Sequence, residues 1–94
     1  MKNEDVIVNY ASGYSSSAGN VRGEGNKLYS YNTCIAQRMG PDIIINMTYY
    51  SNTTSRHRNM LLKYLTRYIP KKIYIDNVPI GTQDLREYVH IRML

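Results

Sequence analysis

The stretch 51–70 (SNTTSRHRNMLLKYLTRYIP) constrains the fold most, because its apolar residues repeat with the period of an α-helix. When successive residues are placed about 100° apart, the apolar side chains fall on one broad arc. That arc holds Met60, Leu61, Tyr64, Leu65, Tyr68 and Ile69, and the opposite side holds Arg56, Asn59, Lys63 and Arg67. We predict one main α-helix over about 54–69, which ends before Pro70 because proline disfavours helical geometry in the preceding residue.

The first turn of this helix carries charges that do not favour its stability. One of the three hydroxyl residues at 53–55 can cap the helix by accepting a backbone N–H, but Arg56 and Arg58 follow directly. Because a helix N-terminus is already partly positive, each cation there costs roughly 0.3 to 1 kcal/mol. Hydroxyls, free N–H groups and arginines together favour an anion such as phosphate. The alternative is that both arginines are only solvated and that His57 packs as a neutral ring in the apolar arc.

The charge distribution predicts one electropositive face. Twelve Lys and Arg against seven Asp and Glu give a formal net charge of +5, and no acidic residue lies between Asp42 and Asp76. That interval contains Arg56, Arg58, Lys63, Arg67, Lys71 and Lys72. A chain of 94 residues suits a single domain, 1–94, in which a helix packs on a small sheet.

Cys34 is the only cysteine, which excludes an internal disulfide framework and a cysteine-rich zinc site. We expect a buried structural thiol and a reducing, cytoplasmic setting. No run of 18 apolar residues occurs, and the first ten residues do not resemble a signal peptide, so we expect no contact with a membrane. Two histidines and scattered acidic residues do not form a metal-binding motif, and we expect neither a metal nor a cofactor.

A central hairpin over 27–50 is predicted from residue type and alternation. Residues 27–38 are rich in aromatic and β-branched residues, residues 39–42 supply the turn, and residues 43–50 form the second strand. The three successive isoleucines 43–45 indicate that this strand is covered on both faces.

The remaining segments complete a small antiparallel sheet of four to five strands. Residues 6–10 are a short apolar run and are predicted as an edge strand, while 73–76 and 88–94 supply two further strands. With the helix between the third and fourth strands, the chain reads as an α+β domain with one helix laid across the sheet.

The segment 11–26 is rich in glycine and serine and is predicted to be a flexible loop. Its glycine spacing fits neither a dinucleotide-binding fingerprint nor a phosphate-binding P-loop. Long loops in small domains are often functional, so Arg22 is a candidate contact residue; the alternative is a plain connector.

Three stretches of the sequence are similar to one group of proteins. These are GNVRGEG at 19–25, LYSYNTCIAQR at 28–38 and YSNTTSRHRN at 50–59. The chain resembles small proteins of bacteriophages and prophages in which a "LYSY.T.IA.R" strand, an apolar strand and a "TKYS.TTS.H.N" helix start recur in this order. The resemblance covers roughly 19–65. That group has no established activity, so the resemblance implies a phage context, in the cytoplasm of a bacterial host, and not a mechanism. Phage genomes devote many such short reading frames to disabling host machinery and defences, CRISPR systems included.

Three classes of function follow from these features. The first is a non-enzymatic module that binds nucleic acid, or a nucleic-acid-containing host complex, through the basic helix face and nearby tyrosines. The second is a protein inhibitor of host defence or host machinery, of the anti-CRISPR type, that uses the same face. The third is a metal-independent nuclease built on His57 with its flanking arginines and a tyrosine, for which no motif fixes the geometry.

The predicted contact residues are Thr53, Thr54, Ser55, Arg56, Arg58, Lys63, Arg67, Lys71, Lys72, Arg22 and Tyr49. The predicted partners are nucleic acid or a host protein or ribonucleoprotein. A homodimer through an exposed sheet edge is a further possibility that the sequence does not specify.

Overall fold

The computed structural model describes residues 2–65 and 71–93, which form three helices and one six-stranded sheet. In chain order the elements are α1 (Asn3–Ala11), β1 (Ser16–Ala18), β2 (Val21–Glu24), β3 (Lys27–Ser30), β4 (Thr33–Met39), β5 (Asp42–Asn46), α2 (Asn52–Leu65), β6 (Lys72–Ile75) and α3 (Arg86–Met93). The strand order in the sheet equals the chain order. The α+β class is confirmed, but the predicted four to five strands and single main helix are too few. The predicted helix end near residue 69 lies outside the described residues.

The hairpin of β4 and β5 is confirmed. The two strands pair antiparallel around Gly40 and Pro41, and Gly40 has a φ of 61°, which glycine adopts without strain. The predicted strand 27–38 is divided, however, because Tyr31 and Asn32 form a turn between β3 and β4. Residues 47–50 follow β5 without strand pairing, so the hairpin is shorter than the predicted 27–50.

β6 runs parallel to β5, so the purely antiparallel sheet was a wrong prediction. Ile44 pairs with Ile73 and Asn46 with Ile75 in this parallel register. The reason is the intervening helix: α2 carries the chain back along the sheet, so the next strand starts at the same end as β5. The result is a mixed sheet with β1 and β6 at its edges.

Residues 6–10 belong to α1 and not to an edge strand. Val6, Ile7 and Tyr10 lie on one side of this helix and all three are buried. Asp5 accepts the backbone N–H of Lys2 at 2.9 Å, which satisfies one donor at the helix start. Burial of a helical face therefore overrides the strand preference of this short apolar run.

The predicted loop 11–26 contains a hairpin, and residues 88–93 of the predicted strand 88–94 are helical, while residue 94 lies outside the described residues. β1 and β2 pair antiparallel, and Gly19 and Gly25 occupy the turns before and after β2 with φ values of 58° and 60°. The glycines that suggested a loop therefore serve tight turns. The C-terminal segment belongs to α3.

Two hydrophobic clusters share the sheet, one on each face. The first lies under α1 and α2 and includes Ile43, Ile45 and Leu61. The second includes Ile44 and Cys34, together with residues of the segment before α3 and of α3 itself. The three isoleucines of β5 thus alternate between the two faces, which confirms that this strand is covered on both. Cys34 is fully buried, as predicted, and burial raises the pKa of its thiol to about 12. Within 2–65 and 71–93, no helix is long and apolar enough to cross a membrane.

Candidate nucleic-acid interface

The start of α2 is capped by Ser51, and not by the predicted hydroxyls at 53–55. The N–H of Thr54 donates to Ser51 Oγ at 3.1 Å, and the N–H of Ser55 donates to the Ser51 carbonyl at 3.0 Å. The cap is therefore satisfied within the chain. Thr53 and Ser55 are half-buried beside it.

Four polar residues meet beneath the start of α2, and we call Asn3, Ser30, Thr54 and His57 the Ser30 cluster. Ser30 Oγ lies 3.1 Å from Thr54 Oγ1 and 2.8 Å from His57 Nδ1, while Asn3 Nδ2 lies 3.5 Å from His57 Nε2. Ser30, Thr54 and His57 are buried. The cluster connects α1, β3 and α2, which are far apart in the sequence.

The surroundings of the His57 ring favour its neutral form. Burial lowers the pKa of His57, and the nearby positive charge of Arg56 lowers it further. A neutral ring with its proton on Nδ1 donates to Ser30 Oγ and accepts from Asn3 at Nε2, which satisfies both nitrogens. Of the two alternatives for His57, the structure therefore supports the ring that packs in the apolar arc.

A serine hydroxyl 2.8 Å from a histidine nitrogen is also the spacing of a nucleophile and its base. Here the hydroxyl is shared with Thr54, and Ser30 is only 1% exposed, so the contact serves packing. The nuclease hypothesis required His57 beside arginines in one site. In the structure His57 is buried and Arg56 is exposed, so the two side chains do not present one shared surface to a substrate, although the charge of Arg56 is close enough to affect the pKa of His57.

The solvent side of α2 carries a single row of exposed residues. We call this row, together with the tyrosine that precedes the helix, the outer row. The row consists of Tyr49, Asn52, Arg56, Asn59 and Lys63. The four helical members follow the spacing i, i+4, i+7 and i+11, so they lie along one face. Tyr49 is 66% exposed, and its hydroxyl donates to Asn52 Oδ1 at 2.9 Å, which ties the ring to the helix start.

The polar and basic face predicted for this helix is confirmed over the described part of α2. Arg67, the fourth predicted member of that face, lies outside the described residues. Sequence periodicity found Arg56, Asn59 and Lys63, and the structure adds Asn52.

Arg58 has a structural contact that the sequence did not reveal. Its Nη1 donates to the Met47 carbonyl at 3.2 Å, and its Nε and Nη2 lie 3.4 and 3.3 Å from Asn59 Oδ1. The side chain is half-buried and holds the segment after β5 against α2. Arg58 is therefore less available to a ligand than Arg56.

Lys72 lies on the same face of the sheet as α2, whereas Arg22 lies on the opposite face. Lys72 pairs with Ile43, whose side chain packs under α2, so Lys72 belongs to the α2 face of the sheet, and Lys71 precedes it. Arg22 lies across from Tyr29, a member of the opposite cluster, and its guanidinium stacks 4.3 Å from that ring. Its Nε is 2.9 Å from Glu24. Arg22 is thus separated from the other predicted contacts by the sheet.

A cleft of about 320 Å³ beside the start of α2 was not predicted from the sequence. It is lined by Ser30, Tyr31, Thr33, Tyr50, Ser51, Thr53, Thr54 and Ile80. Ile80 is 78% exposed and Tyr31 is 49% exposed, so two large apolar side chains stand at this end of the sheet. The turn at Tyr31, which has a φ of 57°, is the local feature that presents the ring.

Comparison with known proteins places the chain in a family. A model described as "Family of unknown function (DUF8033)" matches residues 1–77, which include the outer row, the Ser30 cluster and β6. No curated protein and no solved structure gives a match.

Proposed function

The chain belongs to the Family of unknown function (DUF8033), and because that family has no assigned activity, we propose a function from the surface: the protein binds nucleic acid, or a nucleic-acid-containing host complex, through the outer row. The observation that carries this proposal is the composition of the row. It places an exposed tyrosine, two asparagines and two basic side chains along one helix face. Phosphate contact by cations and base stacking on an aromatic ring are the two common means of sequence-tolerant binding.

The spacing of the row fits a phosphate backbone. Arg56 and Lys63 are seven residues apart, which is about 10 Å along a helix that rises 1.5 Å per residue. Successive phosphates of one strand in a B-form duplex are about 3.4 Å apart along its axis, so about three steps separate the two cations. Tyr49 lies at one end of the row, where its ring is available to a base.

The electrostatic surroundings of the row favour an anionic partner. No acidic residue occurs between Asp42 and Asp76, a range that includes all of α2, and the segment after α2 adds Lys71 and Lys72. The acidic group that the structure places against α2 is Glu4 of α1, which accepts from the Tyr64 hydroxyl at 2.9 Å. Counterion release from the nucleic acid on binding makes contacts with phosphate strongly dependent on salt. The resemblance to phage proteins supports the cytoplasm of a bacterial host as the setting of this function.

We expect Arg56→Ala to weaken binding several-fold and to lower the magnitude of the slope of log K against log salt by roughly 0.7 to 0.9, the effect of one lost phosphate contact. Adding Lys63→Ala should lower the slope again by a similar amount. Fluorescence anisotropy with labelled single- and double-stranded DNA and RNA of about 12 nucleotides, from about 50 to 300 mM NaCl, measures both quantities.

Arg86→Ala is the matched control, because it removes the same charge from a different place. Arg86 begins α3 on the opposite face of the sheet and pairs with Asp84 at 2.8 Å. Its removal should leave affinity and salt slope close to those of the parent. If the parent shows no salt-dependent binding, or if Arg56→Ala and Arg86→Ala weaken it equally, the outer row is not a nucleic-acid site.

A second candidate function is inhibition of host defence or host machinery through a protein with an acidic surface. The observation that favours it is the exposed Ile80 at the cleft, because a large apolar side chain beside a basic face suits a protein interface. Ile80→Asp separates the two functions: it should abolish inhibition of a host system, such as CRISPR interference, and leave the anisotropy of nucleic-acid binding unchanged.

A further inference from the structure

The outer edge of β6 has backbone groups that point away from the sheet. β6 ends the strand order, so within the described residues no strand pairs with this edge. The carbonyls of Lys71 and Ile75 accept N–H groups from Ile43 and Met47, which shows that these residues face β5. Because backbone groups alternate in direction along a strand, those of Lys72 and Tyr74 face outward.

The side chains along this edge are complementary to themselves. When the segment is placed antiparallel to a second copy with Tyr74 opposite Tyr74, Lys72 of each copy lies opposite Asp76 of the other. Tyr74 is 41% exposed and Asp76 is exposed, so both can be reached by a partner strand. Asp76 Oδ1 accepts the N–H of Asn77 at 2.7 Å, an exposed contact that leaves the charge of the carboxylate in place. We propose that two copies of this chain pair through β6 in this register, around a two-fold axis at Tyr74.

The charges select this register over its neighbours. Because every second residue faces outward, the outward-facing backbone groups stay aligned only when one strand shifts by an even number of residues. A shift of two residues in either direction places Lys72 or Asp76 opposite Tyr74. A shift of four residues places lysine opposite lysine or aspartate opposite aspartate, which destabilises a strand pair. Only the register centred on Tyr74 joins both charges to opposite charges, and it also pairs the two exposed tyrosine rings.

The other edge of the sheet does not offer this complementarity. β1 has three residues, Ser16–Ala18, with no charged side chain to fix a register. Pairing through β6 instead removes an exposed edge, and a perpendicular two-fold axis leaves both α2 helices on the same face of one continuous sheet. The inference goes beyond nucleic-acid binding and does not depend on it, since it rests on the backbone and charges of residues 71–76.

Sedimentation velocity over a concentration series tests the pairing. The parent should pass from monomer to dimer as its concentration rises. Lys72→Glu and Asp76→Lys should each raise the dissociation constant about tenfold or more, because each places two like-charged pairs across the two-fold axis. An equimolar mixture of these two variants should dimerise again, since every facing pair is then of opposite charge.

Two further variants separate the edge from the rest of the molecule. Tyr74→Pro removes an outward N–H that β5 does not use, so it should abolish the dimer while the far-UV circular dichroism stays that of the parent. Lys71→Glu makes the same charge change as Lys72→Glu one residue earlier, where the backbone faces β5, and should leave dimerisation unchanged. A parent that stays monomeric, a dimer that survives Tyr74→Pro, or a mixture that fails to dimerise overturns the proposal.

Discussion

Replacing His57 with alanine is expected to lower the free energy of unfolding by about 3 kcal/mol. The ring is 4% exposed, and its removal leaves a cavity where α1, β3 and α2 meet. It also takes from Ser30 a partner at 2.8 Å, and a buried hydroxyl that loses a partner carries a penalty of about 1 to 3 kcal/mol. Urea unfolding followed by far-UV circular dichroism measures the difference.

Arg56→Ala is the internal control for this experiment, because the adjacent side chain is exposed and has no place in the core. Its effect on stability should stay within about 0.5 kcal/mol. The two neighbours should show opposite behaviour in the binding assay: folded His57→Ala keeps the affinity of the parent, and Arg56→Ala does not. A loss below about 1 kcal/mol for His57→Ala would mean that the Ser30 cluster does not hold the helices to the sheet.

Features that extend over many residues, or that depend on residue type alone, were predictable from the sequence. The arc of α2 could be assigned because 14 residues give nearly four turns in which to see the period. The turn at Gly40 and the burial of three successive isoleucines also followed from residue type. The outer row was largely predicted for the same reason, since an exposed face is the complement of a buried one.

Short elements were not predictable, because nine residues of α1 and eight of α3 give few repeats of any period. Val6, Ile7 and Tyr10 fit a helix face as well as a strand, and only the packing of α1 decides between them. The parallel direction of β6, by contrast, had a signal in the sequence. A helix between two strands provides the crossover that parallel pairing needs.

The Ser30 cluster could not be found by sequence reasoning. Ser30 and His57 lie in two motifs 27 residues apart, and nothing local shows that a strand end and a helix start are in contact. The same limit applies to the cap, which falls on Ser51, two residues before the first of the predicted hydroxyls, because the chain enters α2 earlier than the hydroxyl run suggested. Contacts between distant segments depend on topology, and topology was the part that the sequence left open.

Acidification is expected to destabilise the fold through His57. The ordinary pKa of histidine is about 6.5. In the folded protein two causes lower the pKa of His57: burial, which is the larger, and the positive charge of Arg56. The unfolded chain therefore binds this proton more readily than the folded chain. The stabilising contribution is fully present above the ordinary histidine pKa and is lost as the pH falls through the lower, folded-state value. Urea midpoints measured from about pH 7 down to pH 5 should fall accordingly.

His57→Gln identifies the group responsible for this loss. A glutamine amide can still hydrogen-bond Ser30 but does not titrate, so the stability of this variant should change less over the same pH range than that of the parent. His90→Gln removes the only other histidine and should leave the pH dependence of the parent in place. Arg56→Ala should move the pKa of His57, measured by NMR titration of the ring proton, upward, because one of the two causes that lower it has been removed. A pH dependence that persists in His57→Gln would instead assign the acid sensitivity to carboxylates, whose protonation is the usual source of acid unfolding.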